Sequence, residues 1–183
     1  MLLADMKSTV KSSKKIALSG MLSALNILIM FIGSVFQSMD LTAAAAASLT
    51  IAFAMVELGT RYAVSIYAVS SVLTVLLLPY KSPGIIFAVF AGLYPILKAY
   101  LQRIPNKWLA LIAKLAVFNL FFTAIIAAGM YLFMLDDDFY SFKLVVYLLG
   151  NLTFVLFDIA LDRLIQLYVV KIKKIFDRTF KLR

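Results

Sequence analysis

Lys14-Lys15-Ile16-Ala17-Leu18-Ser19-Gly20-Met21-Leu22-Ser23-Ala24-Leu25-Asn26-Ile27-Leu28-Ile29-Met30-Phe31-Ile32-Gly33-Ser34-Val35-Phe36 is the stretch that decides the fold class. From Ile16 to Phe36 it carries no charged side chain. A helix of that length is about 30 Å long, which matches the hydrocarbon thickness of a bilayer. A secretory signal also begins with a basic start and an apolar run. No A-x-A pattern closes this run, which ends in Gly33-Ser34-Val35-Phe36, so it is expected to be a retained first helix.

The rest of the chain agrees. Of its 183 residues, 64% are hydrophobic and 15% charged, and the mean hydropathy is +1.00. A soluble domain is about 45–50% apolar and about 25% charged. Folded in water, this chain would expose much of the excess; lipid takes it up. There is no cysteine and no histidine, so disulfides, thiolate nucleophiles and imidazole acid–base chemistry are excluded. No cofactor, metal or enzymatic activity is expected. The net charge of +9 does not point to nucleic acid, because its lysines and arginines sit at the ends of apolar segments.

Six spans are expected, at about 16–36, 41–58, 62–78, 83–101, 108–135 and 142–170, in a single transmembrane domain followed by a basic tail over 171–183. Gly59 is a candidate cap for the second. Pro83 suits the first turn of the fourth, and Pro95 should kink that span or mark where it leaves the membrane. With the N-terminus cytoplasmic, the inner end receives Lys7, Lys11, Lys14, Lys15, Arg61, Lys98, Arg103, Lys107 and the tail. The outer loops receive only Lys81 and Lys143, with Asp40 and Asp136-Asp137-Asp138. This is the asymmetry of a multi-pass protein of the plasma membrane with both termini inside. The three consecutive aspartates read as a solvated turn rather than a metal site, since they do not converge on one point. Trp108, Tyr80 and Tyr168 suit interfacial anchoring.

Polar residues inside spans are costly and mark either function or helix–helix hydrogen bonds. On the sixth span Tyr147, Asn151, Asp158 and Asp162 share a face, being four, seven and four residues apart. On the fifth, Ala116, Asn119, Thr123 and Ala127 do the same. Tyr147 and Asn151 lie in the outer half and Asn119 and Thr123 near or above the midplane, and together they form a candidate outward-opening pocket for a small, partly apolar ligand. Lys114 lies lower, where Asp158 or Asp162 would neutralise it in a structural ion pair. On the first span Ala17, Gly20 and Ala24 make a small-residue face that admits another helix closely.

The basic start followed by Lys15-Ile16-Ala17-Leu18-Ser19-Gly20-Met21-Leu22-Ser23-Ala24-Leu25 resembles the opening of the substrate-binding S components of energy-coupling-factor (ECF) transporters. The six helices and the length are also similar to that family. The resemblance implies a membrane-embedded subunit that captures a vitamin-like micronutrient and is energised by separate coupling and ATPase subunits. It implies that the first helix docks on the coupling subunit through alanines four apart. Here Ala17 matches the first and Met21 stands at the second, with Gly20 and Ala24 one step displaced. It places the ligand in the outer half, against the loop after the first helix and the last three helices, hence against Gln37, Asn119, Thr123, Tyr147 and Asn151. No nucleotide-binding loop of the G-x-x-x-x-G-K-[ST] type occurs in the chain. The alternative is a six-helix scaffold of the rod-elongation type, which would bind no ligand.

Overall fold

Among the described residues, six helical segments are long and apolar enough to cross a membrane: Ser12–Val35, Asp40–Glu57, Thr60–Leu77, Ser82–Leu101, Trp108–Ala127 and Leu144–Lys171. The structure, a computed structural model, describes residues 2–133 and 143–172, and among these there is no β-strand. Side chains of 2–11, Gln37, Lys107, 128–133 and Lys143 are outside that description, as are the three aspartates and the tail from Lys173. The fold is all-α and multi-pass, as the hydropathy pattern requires. Outward-facing leucines such as Leu76, Leu120 and Leu144, the last 79% exposed, present the apolar surface that lipid covers. This is a membrane protein, in keeping with the plasma membrane.

The first helix, α1, runs Leu2–Val35 and so begins well before the apolar run. Lysine is a good helix former, and the basic start continues the helix instead of preceding it. A single turn at Gln37–Met39 leads into α2, Asp40–Glu57, and then α3, Thr60–Leu77. Gly59 both closes α2 and opens α3. Its N–H donates to the Ala54 carbonyl at 3.1 Å, and its own carbonyl accepts from the Ala63 N–H at 3.1 Å. The backbone there has φ 92° and ψ 172°, a region populated almost only by glycine.

The fourth span is not one helix. It comprises α4, Ser82–Ile86, a π-helical turn at Phe87–Ala91, and α5, Tyr94–Leu101. The Gly92 N–H reaches back five residues to the Phe87 carbonyl at 2.8 Å. Pro95 occupies the first turn of α5, where its missing N–H costs nothing, and the wide turn lies just before it. The expected break is therefore present, a few residues ahead of the proline. The last two helices are α6, Lys107–Phe133, and α7, Lys143–Leu167, which continues as a π-helical turn through Ile172.

The chain divides into two compact units. The first comprises 1–96 and 162–183. In it α1 packs on both α2 and α3, with Leu18, Leu22, Met30, Ala44, Ala47, Ile51 and Ile66 in the core. The alanine run of α2 acquires a direction here, for Ala43, Ala44 and Ala47 are buried. A Cβ at Gly33 would collide with Ala43, so this glycine sets how closely α1 approaches α2. Ser34 holds the outer end of the unit: its hydroxyl donates to the Tyr80 carbonyl and accepts from the Tyr80 N–H, both at 2.9 Å. Tyr168, expected as an interfacial anchor, packs edge-on against Phe53 with centroids 4.9 Å apart. The second unit, 97–161, is built on α6 and α7 and contains most of the residues of interest.

Candidate functional site

Within the second unit the α6–α7 seam carries two polar levels separated by aromatic rings. Helix periodicity generates the register: a step of four from Thr123 to Asn119 on α6 is met by a step of four from Tyr147 to Asn151 on α7. The upper level is a ladder. Asn119 and Asn151 exchange hydrogen bonds, Asn119 Nδ2 donating to Asn151 Oδ1 at 2.8 Å and Asn151 Nδ2 to Asn119 Oδ1 at 3.0 Å. The second hydrogen of each amide goes to the carbonyl four residues earlier, Leu115 at 2.9 Å and Tyr147 at 2.8 Å. One rung higher, the Thr123 and Tyr147 hydroxyls are 2.8 Å apart, and Thr123 donates to the Asn119 carbonyl at 2.7 Å. At 1.5 Å per residue Asn119 and Thr123 lie about 18 and 24 Å along α6 from Lys107, on either side of the middle of a helix of 27 residues. Thr123 is exposed, as are Ala116 and Ala127 on the same face, while Asn119, Tyr147 and Asn151 are half-buried.

Below the ladder Phe118 stacks on Phe154 with centroids 4.6 Å apart and on Phe122 at 5.1 Å, and Phe122 meets Tyr147 edge-on at 5.4 Å. Beneath them lies the charged level. Asp158 Oδ1 accepts from Lys98 Nζ at 2.5 Å and its Oδ2 from Lys114 Nζ at 2.8 Å. Lys98 also donates to the Asp158 backbone carbonyl at 2.7 Å. All three residues are buried, with Lys98 only 2% exposed. In so dry a setting charge must be paired and hydrogen-bonded, and this carboxylate holds α5, α6 and α7 together.

The sequence-derived residues are thus partly brought together. Asn119, Thr123, Tyr147 and Asn151 form one hydrogen-bonded set, and Lys114 meets Asp158. Asp162 is half-buried on α7 and belongs to the other unit. Gln37 lies in the turn after α1, and its side chain is outside the described residues. Ala17, Gly20 and Ala24 all face outward, and nothing lies within 4 Å of a Cβ placed on Gly20. Among the described residues, the small-residue face of α1 is left exposed.

Two residues escaped the sequence reading. Lys98 was expected among the cations of the inner end, yet it is buried on Asp158; its signal was its position inside a span. Asn26 is fully buried in α1, and neither atom of its amide has a hydrogen-bond partner among the described residues. An amide in the middle of the deciding apolar stretch was the available sign. Among the described residues no group of three or more acidic, histidine or cysteine side chains converges as a metal site. Comparison of the chain with protein-family models, with curated proteins and with solved structures finds no match in any of the three.

Proposed function

We propose that this protein is a membrane-embedded substrate-capture subunit, of the ECF S-component type, for uptake of a small micronutrient-like molecule. Separate coupling and ATPase subunits would supply the energy, and the chain itself would catalyse no reaction. The observation that carries this reading is the open face of α1. Ala17, Gly20 and Ala24 leave a shallow groove on a helix whose opposite side is committed to α2 and α3. Small residues on a lipid-facing helix favour close approach by a helix of another subunit. The half-open ladder between α6 and α7 would supply the place for the ligand.

A photo-crosslinker placed at Gly20, on the full chain in native membranes, tests this directly. Crosslinking to a membrane subunit that co-purifies with an ATPase is the expected result. Crosslinking only to a protein without an associated ATPase would overturn it, and would favour the scaffold reading. That second reading has one observation of its own. The ladder's amides satisfy each other, as side chains do when their role is to join helices.

A further inference from the structure

The hydrogens of the ladder can be placed without ambiguity. The carbonyls of Leu115 and Tyr147 only accept, so the Nδ2 of each asparagine must face them. Each Oδ1 then faces the other residue's Nδ2, as the reciprocal pair requires. The Thr123 hydroxyl has one hydrogen and spends it on the Asn119 carbonyl. The bond between Thr123 and Tyr147 is therefore donated by Tyr147. Every N–H and O–H of the four side chains is used.

What is left is acceptance. Among the described residues, each Oδ1 has one lone pair engaged and one to spare, Thr123 Oγ1 likewise, and Tyr147 Oη accepts nothing. From this polarity we infer that the ligand of the ladder is a hydrogen-bond donor, a flat molecule bearing N–H groups, and that anions and donor-free acceptors are rejected. This rests on the proposed capture function for the ladder having a ligand at all. The flatness comes from the neighbours: the rings of Phe118, Phe122 and Tyr147 stand beside the rungs, and aromatic faces favour offset stacking with planar groups. An approaching carboxylate would meet four oxygens and no available hydrogen. Breaking the asparagine pair to receive it would leave amide groups unmatched in a low-dielectric setting.

The test uses the full chain in lipid nanodiscs and three probes with a common ring: benzamide, its isostere benzoate, and N,N-dimethylbenzamide, which lacks N–H groups and carries no charge. The readout is the side-chain amide NMR signals of Asn119 and Asn151. Benzamide should shift both signals saturably, and the two probes that lack N–H groups should bind about tenfold more weakly or worse, the loss of a hydrogen bond to a partly buried acceptor. Thr123→Val should reverse part of this preference: it removes the acceptor of Tyr147, freeing that hydroxyl to donate, so benzoate gains. Benzoate binding to the unaltered protein as tightly as benzamide would overturn the inference. So would the failure of all three probes, which would leave the ladder as a joint between helices. Neither outcome bears on the α1 crosslink. Donor-selective binding without an ATPase-linked partner would instead reject the transport reading and keep this one.

Discussion

Asp158→Ala should be among the most damaging single substitutions in the second unit. The carboxylate receives Lys98 at 2.5 Å and Lys114 at 2.8 Å, so its removal leaves both ammonium groups in place, no more than about 7 to 8 Å apart. At an effective dielectric of about 20 two such charges repel by roughly 2 kcal/mol. The larger loss is desolvation no longer compensated: breaking a buried ion pair by deleting one partner costs about 3–5 kcal/mol. A destabilisation of about 3–5 kcal/mol is expected, followed by denaturant unfolding of the purified protein in a fixed mild detergent. The double variant Asp158→Ala with Lys114→Met removes one of the stranded cations. It should recover a third or more of the loss, whereas independent sites would add. A loss under 1 kcal/mol, or a double variant as unstable as the sum of the singles, would refute the claim that this carboxylate holds three helices together.

Three further outcomes follow from single positions. Asn26→Leu should raise the thermal midpoint, because a fully buried amide without partners gives way to an apolar side chain of similar size; replacing such a group gains on the order of 1–3 kcal/mol, and a fall in the midpoint would show that the amide is satisfied by water. Gly59→Ala should destabilise by about 1–3 kcal/mol through backbone strain alone, since φ is 92° and nothing lies within 4 Å of the added Cβ; an unchanged unfolding curve would contradict that geometry. Gly20→Leu has the same open space around it and should leave the stability of the isolated chain within about 0.5 kcal/mol, as outward substitutions do, while abolishing co-purification of the proposed coupling subunit; retention of such a subunit by the variant would move the proposed docking surface elsewhere.

Much of the fold was legible because lipid imposes simple rules on sequence. Span length, charge asymmetry and helical period are local properties, and they located the helices and the shared face of Tyr147, Asn151 and Asp158. Partner choice is not local. Depth alone matched Lys114 to Asp158 or Asp162 without choosing between them, and Lys98 was left with the cations of the inner end. Lys98 was placed by its charge and its depth near the end of the fourth span, and neither property says which neighbour a side chain faces; only packing brings it onto Asp158.

The two levels of the α6–α7 seam also separate two kinds of task that a sequence presents alike. Asp158 and Asn151 are seven residues apart on one face, and each is a polar group in an apolar helix. Around Asp158 two lysines and a backbone carbonyl close the site, and burial leaves a ligand little access. Around Asn151 every hydrogen is committed to the seam while the oxygens keep lone pairs, and the adjoining Thr123 is exposed. Joining helices and receiving a ligand are therefore compatible in the ladder, because they draw on different atoms of the same side chains. At the ionic level access is what differs: Asp158, Lys98 and Lys114 are all buried, and a lysine sits on each carboxylate oxygen. That difference in access, rather than the residue types, is the physical ground for proposing ligand capture at the ladder and anchoring at the ionic level.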